Sequence, residues 1–526
     1  MERTSISETS TAVEMAVLPV LTVDPSAPPS HGAATAEESK STSTAPTTLK
    51  HRVLRGGVWL ASGDIIARLA TLFKLAILVR LLNPVHFGLL GMAMIVLRWL
   101  NAFTDVGIRD ALIRKEGDIR PYFDTSWTIQ IARGCFSAAV LCLTAPWMAV
   151  FFDNAELTAV LRGVALVPFL YGFRNPAVVT LRKKLDLRGE MIWKLSGVIA
   201  GFAVAVPLAF LLRSVWALVI SAAAAAAAEV VASYWVLPYR PKLRADWRQA
   251  REMSTFGKWI LFSNIGGLLF LSLDGLVIGK LLGAEPLGIY QLGYQLAVMP
   301  MAQIGLLANS LLFPAFSELR QPNDLRRAFL KSMGLACSVL LPIGCFLAVC
   351  AEPVVRLAFG PRWDAAAPVV RILAGGGVAL AISMLGNAFF LGLGKPRLAS
   401  HVSMLRLALL AGLLYPAVRE YGLTGAAMAV AAAAIGAAAW QFVLLVRFVS
   451  PSLQEAAETM TVGLLGSLLI AAAAGLATPA LSPPFLAWIS LAMLAYLALL
   501  FRALRDRYGL LSAQRWGGLC AKTLKF

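Results

Sequence analysis

Arg68, Lys74 and Arg98 lie inside apolar stretches long enough to cross a bilayer. An ionisable side chain there costs roughly 2.5–3.5 kcal/mol and is normally turned towards a cavity or a partner. Arg68 and Lys74 are six residues apart, about 9 Å along a helix axis and about 120° around it. They cannot grip one group, but they can line successive depths of one path. Arg133, Arg174 and Arg406 also lie deeper than loop residues should, each within snorkelling reach of an interface, and are secondary cavity candidates. Acids in the same stretches are fewer: Asp64, Asp105, Glu229 and Asp274. An excess of cations at similar depth points to an anionic ligand, with Arg suited to phosphate through its planar fork and Lys acting as a point charge. For Arg68 two readings stay open: exposure to a central cavity, or an ion pair with Asp64 one turn earlier.

The elements that must position these charges are membrane helices. A hydrophobic fraction of 58%, a charged fraction of 14% and a mean hydropathy of +0.72 exclude a water-soluble globular fold. Apolar runs of about 20 residues predict about 14 spans between 57 and 503, among them 157–181, 287–312, 398–418 and 422–448. The net charge of +18 does not mark a nucleic-acid partner, because the basic residues alternate between connections. Every second connection is basic, which predicts both termini in the cytoplasm.

The first span is written twice. Residues 57–90 superpose on 257–290 without a gap at an offset of 200, matching Gly57/Gly257, Trp59/Trp259, Leu81/Leu281, Gly88/Gly288 and the cations Arg80/Lys280. An even number of crossings separates the copies, so they run in the same direction. That is a parallel repeat about an axis along the membrane normal, with a transport path expected between the halves near the midplane. The predicted fold class is therefore an all-α polytopic membrane protein of two six-helix bundles (51–240 and 241–450). Two further spans (451–505) and cytosolic tails at 1–50 and 506–526 complete it. The positions equivalent to Arg68 and Lys74 are Leu268 and Asp274. The halves have thus diverged in charge, and Asp274 is a candidate for a coupling proton or cation, or for pairing with a cation of the facing half.

Small-residue runs at Ala222–Ala228, Gly375–Gly377, Ala431–Ala439 and Ala471–Gly475 read as close helix packing. Pro207, Pro300 and Pro314 read as kinks. The six cysteines imply no disulfide framework. His86 and His401 have neither a nucleophile nor metal-ligand spacing beside them. No metal, cofactor or catalytic residue is expected, and the chain is not expected to be an enzyme.

Leu78–Lys115 and its counterpart Leu287–Leu319 resemble the Wzx-type oligosaccharide flippases, the polysaccharide transport branch of the MATE-like (MOP) flippase superfamily. YGFRNPAVVTLRKKLDLRGE (Tyr171–Glu190) and LGLGKPR (Leu391–Arg397) resemble the same branch. The resemblance implies an undecaprenyl-diphosphate-linked oligosaccharide turned from the cytoplasmic to the periplasmic leaflet of a bacterial inner membrane by alternating access. Membrane lipid would hold the tail, and a polysaccharide polymerase and glycosyltransferases would be partners. The spacing of Arg68, Lys74 and Arg98 also resembles the cationic set facing the pyrophosphate in peptidoglycan-precursor flippases, with Lys at the middle position where those tend to have Arg. Asn264, Gln295, Gln303, Asn309 and Asn387 are then candidates for sugar contacts. The alternatives are a MATE-type antiporter of organic cations, a peptidoglycan-precursor flippase, and a polysaccharide polymerase or ligase. The last would need an outer domain for which the loops are too short.

Overall fold

A computed structural model of the chain describes residues 66–67, 69–105, 107–115, 117–183, 186–253, 272–319, 321–449, 453–476 and 483–506. Asp64, Arg68, Asn264 and both predicted tails, apart from Asp506, lie outside the described residues. No strand occurs among them. In chain order the helices used below are α1 (69–81), α2 (Pro84–Thr104), α3 (Ile108–Arg114), α4 (Phe123–Phe151), α5 (Glu156–Val164), α6 (Leu166–Gly172), α7 (Val178–Lys183), α8 (Leu187–Leu212) and α9 (Val215–Val236). They continue with α10 (272–281), α11 (Ala284–Ala297), α12 (Met299–Glu318), α13 (Pro322–Val349), α14 (Ala351–Phe359), α15 (Ala366–Gly392), α16 (Pro396–Val449), α17 (Leu453–Leu476) and α18 (Pro483–Asp506).

Eight helical stretches among the described residues are long and apolar enough to cross a membrane. The longest of them, within α16, is two crossings. At Gly422 φ is 58° and ψ is −132°, which no helix tolerates. A Cβ on Gly436 would lie 3.0 Å from Leu409 Cδ1, and one on Gly425 would strike the Ala417 carbonyl. Residues 409 and 436 would be about 40 Å apart on a straight helix. The chain therefore folds back at Gly422 into an antiparallel hairpin, matching the spans expected at 398–418 and 422–448.

Two expected spans are interrupted. The stretch 157–181 is not one helix but α5, α6 and α7. Pro168 cannot donate to the Val164 carbonyl, α6 ends at Gly172, and the proline after Asn175 disfavours helical backbone there. Asn175 is buried and fully used: its N–H donates to Ser233 Oγ, its Nδ2 to the Tyr239 carbonyl, and its Oδ1 accepts from Ala177 N–H. The stretch 287–312 is divided at Val298 into α11 and α12, where Pro300 has no N–H for the Leu296 carbonyl. Pro300 thus starts a helix, while Pro207 and Pro314 lie inside theirs. The isolated His86 is accounted for by the helix it opens, its Nδ1 accepting the Asn83 N–H at 3.3 Å where Pro84 begins α2.

Small residues let the helices close up. A Cβ on Gly201 of α8 would lie 3.2 Å from Ala225 Cβ of α9, and one on Gly376 of α15 would lie 2.9 Å from Ala431 Cα of α16. These contacts use three of the small-residue runs for packing.

The two repeats meet through α2 and α11, and residues at an offset of 200 face one another there. A Cβ on Gly88 would strike the Ala284 carbonyl, and a Cβ on Gly288 would strike that of Pro84. Glycine is required at both positions by a backbone approach, and the reciprocity marks the repeat axis at this crossing. Contacts of the end residues follow the same rule. Arg80 Nη2 donates to the Leu357 carbonyl at 2.7 Å, while its equivalent Lys280 stands over the Phe151 ring at 5.3 Å, each cation reaching the opposite half. Trp363, fully buried, donates its indole N–H to the Val79 carbonyl at 3.0 Å and meets Phe87 edge-on at 5.5 Å. We expect Trp363→Phe to cost about 1–3 kcal/mol for the orphaned carbonyl and Trp363→Ala about 3–5 kcal/mol for the added cavity. Thermal unfolding in detergent should rank wild type above Phe above Ala, and equal midpoints would contradict a structural role for the contacts of Trp363 with Val79 and Phe87.

Candidate substrate cavity between the repeats

Beneath the α2–α11 crossing lies a cavity of about 440 Å³ walled by both repeats. α1 brings Thr71 and Lys74, α2 brings Arg98, and α9 brings Ser221; facing them, α10 brings Ser272 and Asp274, and α11 brings Tyr290, Gln291, Tyr294 and Gln295. Its volume falls within the range of small-molecule sites. Lys74 and Arg98 have no hydrogen bond or ion pair among the described residues, and the Arg98 side chain is exposed to the open space. Lys74 is partly buried, its Nζ beside Gly201 of α8, which offers no side chain to it. Two cations with free hydrogen-bonding capacity in a half-enclosed polar space attract an anion.

Asp274 supplies the opposing charge on the wall. Its Oδ2 accepts from the Tyr290 hydroxyl at 2.7 Å and its Oδ1 from the Gly275 N–H at 2.8 Å. It also faces Arg98 electrostatically. By the repeat, Asp274 occupies the place of Lys74 and Val298 that of Arg98, so the cavity is pseudo-symmetric in backbone and opposite in charge at one position. α11 ends at its C-cap Val298, two residues short of Pro300, and Met299, which opens α12, also lines the cavity.

The other sequence candidates are dispersed. Arg133 is spent on Asp105 (3.2 Å), Thr104 Oγ1 (3.3 Å) and the Asn101 carbonyl (3.3 Å). It lines a separate cavity of about 380 Å³ among α2, α3, α4, α6 and α7, together with Asp105, Gln130 and Arg174. Arg174 lies over the rings of Tyr171 and Trp193, at 5.6 and 5.5 Å, and faces the charge of Glu229, which itself bonds Tyr171. Arg406 stands behind Asp274 in a small space shared with Tyr294. Of the amides, Gln295 lines the central cavity. Asn387 of α15 accepts from Gln441 Nε2 of α16 at 3.0 Å, and neither Gln303 nor Asn309 borders the central cavity. Missed from the sequence were Tyr290, Gln291, Tyr294, Ser221 and Ser272. A signal existed for the first three: Tyr-Gln recurs at 290–291 and 294–295, one helical turn apart, which puts both pairs on one face. Among the described residues no cluster of His, Cys, Asp and Glu is grouped to hold a metal ion.

The model of the family described as polysaccharide biosynthesis protein matches residues 77–368. The chain is 23% identical over 333 residues to the lipopolysaccharide biosynthesis protein WzxC of Escherichia coli, covering 62% of this chain and 67% of that one. It is 24% identical to the teichuronic acid biosynthesis protein TuaB of Bacillus subtilis, covering 56% of this chain and 62% of that one. It is 24% identical to the succinoglycan biosynthesis transport protein ExoT of Rhizobium meliloti, covering 57% and 60%. The matched part thus spans about three fifths to two thirds of these relatives. Among solved structures, the lipid II flippase MurJ in an inward closed conformation superposes with a TM-score of 0.66 at 11% identity, covering 86% of this chain and all of that one. An inward-facing multidrug resistance MATE family transporter of the MOP superfamily superposes with 0.54 at 17% identity, covering 75% of this chain and 98% of that one. The fold is therefore the one shared by these membrane transporters, and with its family model matched over more than half its length the chain belongs to the polysaccharide biosynthesis protein family.

Proposed function

We propose that the chain flips a polyprenyl-diphosphate-linked glycan, the repeat unit of an exopolysaccharide or lipopolysaccharide, across a bacterial plasma membrane. The observation that carries this reading is a pair of cations, Lys74 and Arg98, with no hydrogen bond or ion pair among the described residues, in a polar cavity lined by α1, α2 and α9 on one side and α10 and α11 on the other. It is supported by the relatives' names, which concern lipopolysaccharide, teichuronic acid and succinoglycan biosynthesis.

In this reading Lys74 and Arg98 hold the diphosphate, with Arg68, six residues before Lys74 in the sequence, as a third cation. The Tyr-Gln pairs of α11 and Ser221 meet the sugars, whose hydroxyls would otherwise enter hydrocarbon unpaired. The polyprenyl tail stays in lipid. In the same reading the α2–α11 crossing closes the end that faces the periplasm, both termini lie in the cytoplasm, and about 14 spans in two rocking bundles provide alternating access. Asp274 balances the cations while the cavity is empty. Moving an anionic head outward against an inside-negative potential is opposed by about 2.3 kcal/mol per charge per 100 mV, so a compensating proton or cation is drawn in, with Asp274 as its seat.

Ligand competition tests the class of cargo. Purified protein should be stabilised against heat by a water-soluble short-chain prenyl-diphosphate glycan and not by organic cations. Stabilisation by cations alone, lost in Asp274→Asn, would favour a MATE-type antiporter instead.

A further inference from the structure

The connection between the repeats, residues 237–253, is a strap fixed at the membrane boundary. α9, a membrane-crossing helix, ends at Val236, and the strap is then pinned to the first turns of α4, another crossing helix. Lys242 N–H donates to Asp124 Oδ1 at 2.9 Å and Asp246 N–H to Thr125 Oγ1 at 3.2 Å; Arg244 and Thr128 exchange two bonds, at 3.1 and 3.0 Å. Farther along, Glu252 accepts from Lys115 and from the Tyr122 hydroxyl, bonds that hold its carboxyl below the usual range, and Met253 is buried with Leu237.

These pins use backbone amides and a few polar side chains, leaving the outward face unspent. Leu243 is 70% exposed and Trp247 82%, and Trp235 at the end of α9 is 86% exposed. The side chains of Lys242, Arg244 and Arg248 are exposed and have no partner among the described residues. Arg240 differs, its guanidinium bonding the carbonyls of Tyr234, Leu237 and Tyr239. Exposed Leu and Trp beside unpaired cations, held at the depth where two crossing helices end, match the apolar-plus-anionic chemistry of a headgroup layer.

We propose that residues 242–248 form a binding surface for anionic phospholipid headgroups, with Leu243 and Trp247 in the acyl boundary and Lys242, Arg244 and Arg248 on the phosphates. The surface lies outside the central cavity and does not depend on its cargo.

The test uses the full chain in nanodiscs carrying a photoactivatable phosphatidylglycerol probe, with crosslinks mapped by mass spectrometry and phosphatidylcholine probe as comparison. Crosslinks at 242–248 should be enriched at least tenfold for the anionic probe. The triple variant Lys242→Gln, Arg244→Gln, Arg248→Gln should abolish the enrichment, and 1 M salt should reduce it in wild type, as screening requires. The salt series decides the matter should the triple variant fold poorly. Equal labelling by the two probes, or enrichment indifferent to salt, would overturn the proposal.

Discussion

Arg98→Ala is expected to weaken binding of a soluble prenyl-diphosphate glycan by roughly 10- to 150-fold, the equivalent of about 1.5–3 kcal/mol for a charge-assisted hydrogen bond lost without replacement. The residue has no hydrogen bond or ion pair among the described residues and is exposed to the cavity, so its removal should leave the unfolding midpoint within a few degrees of wild type. Lys74→Ala should weaken binding less, because an ammonium offers a point charge where a guanidinium offers a fork. Lys74→Arg would then restore or improve affinity. Asp274→Asn acts in the opposite direction on an anion, removing a like charge from the wall, and should tighten binding while slowing transport if the carboxylate seats the compensating charge. Titration calorimetry separates these cases. Affinity unchanged in Arg98→Ala would remove the diphosphate from this cavity.

The second large effect belongs to the repeat crossing. Gly88→Ala and Gly288→Ala each place a methyl group into the backbone of the facing helix. Overpacking of this kind costs about 1–3 kcal/mol, which would shift the balance away from the closed α2–α11 end by roughly 5- to 150-fold. Because the two glycines are equivalent in the repeat, the two variants should open the same end to the same extent. Spin labels across that end, read by pulsed electron resonance, should report a longer distance in both. Gly412→Ala is the control: nothing lies within 4 Å of its added Cβ. A closed end in both crossing variants would mean that the approach of α2 to α11 does not govern closure.

Much of this architecture was legible because repeats and apolar runs are properties of the chain itself. The offset of 200 that aligns Gly88 with Gly288 and Pro84 with Ala284 is the offset that brings them together in space. Lys74, Arg98 and Asp274 were conspicuous as charges in apolar surroundings, and the structure gathers all three around one cavity. What was not legible depends on helix rotation and on partners distant in sequence. Arg133 has the same composition signal as Arg98, but its neighbour across the helix interface is Asp105, 28 residues earlier, and no local pattern announces that pair. Asn387 is likewise satisfied by Gln441, and a polar residue so paired looks in sequence like one waiting for a ligand. The interruption of 157–181 was harder still, since Pro168 and Asn175–Pro176 are tolerated inside many membrane helices and break this one because Ser233 and Tyr239 take up Asn175.

The most direct measurement reconstitutes the protein in sealed vesicles with a fluorescent polyprenyl-diphosphate oligosaccharide and follows loss of the head group to an impermeant quencher. Wild type should expose the inner-leaflet pool far faster than empty vesicles, Arg98→Ala should fall towards the empty-vesicle rate, and phosphatidylcholine carrying the same dye should not move. Protein that folds, binds no diphosphate glycan and leaves the inner pool protected, or that moves both lipids alike, would contradict the assignment of this cavity to a lipid-linked sugar.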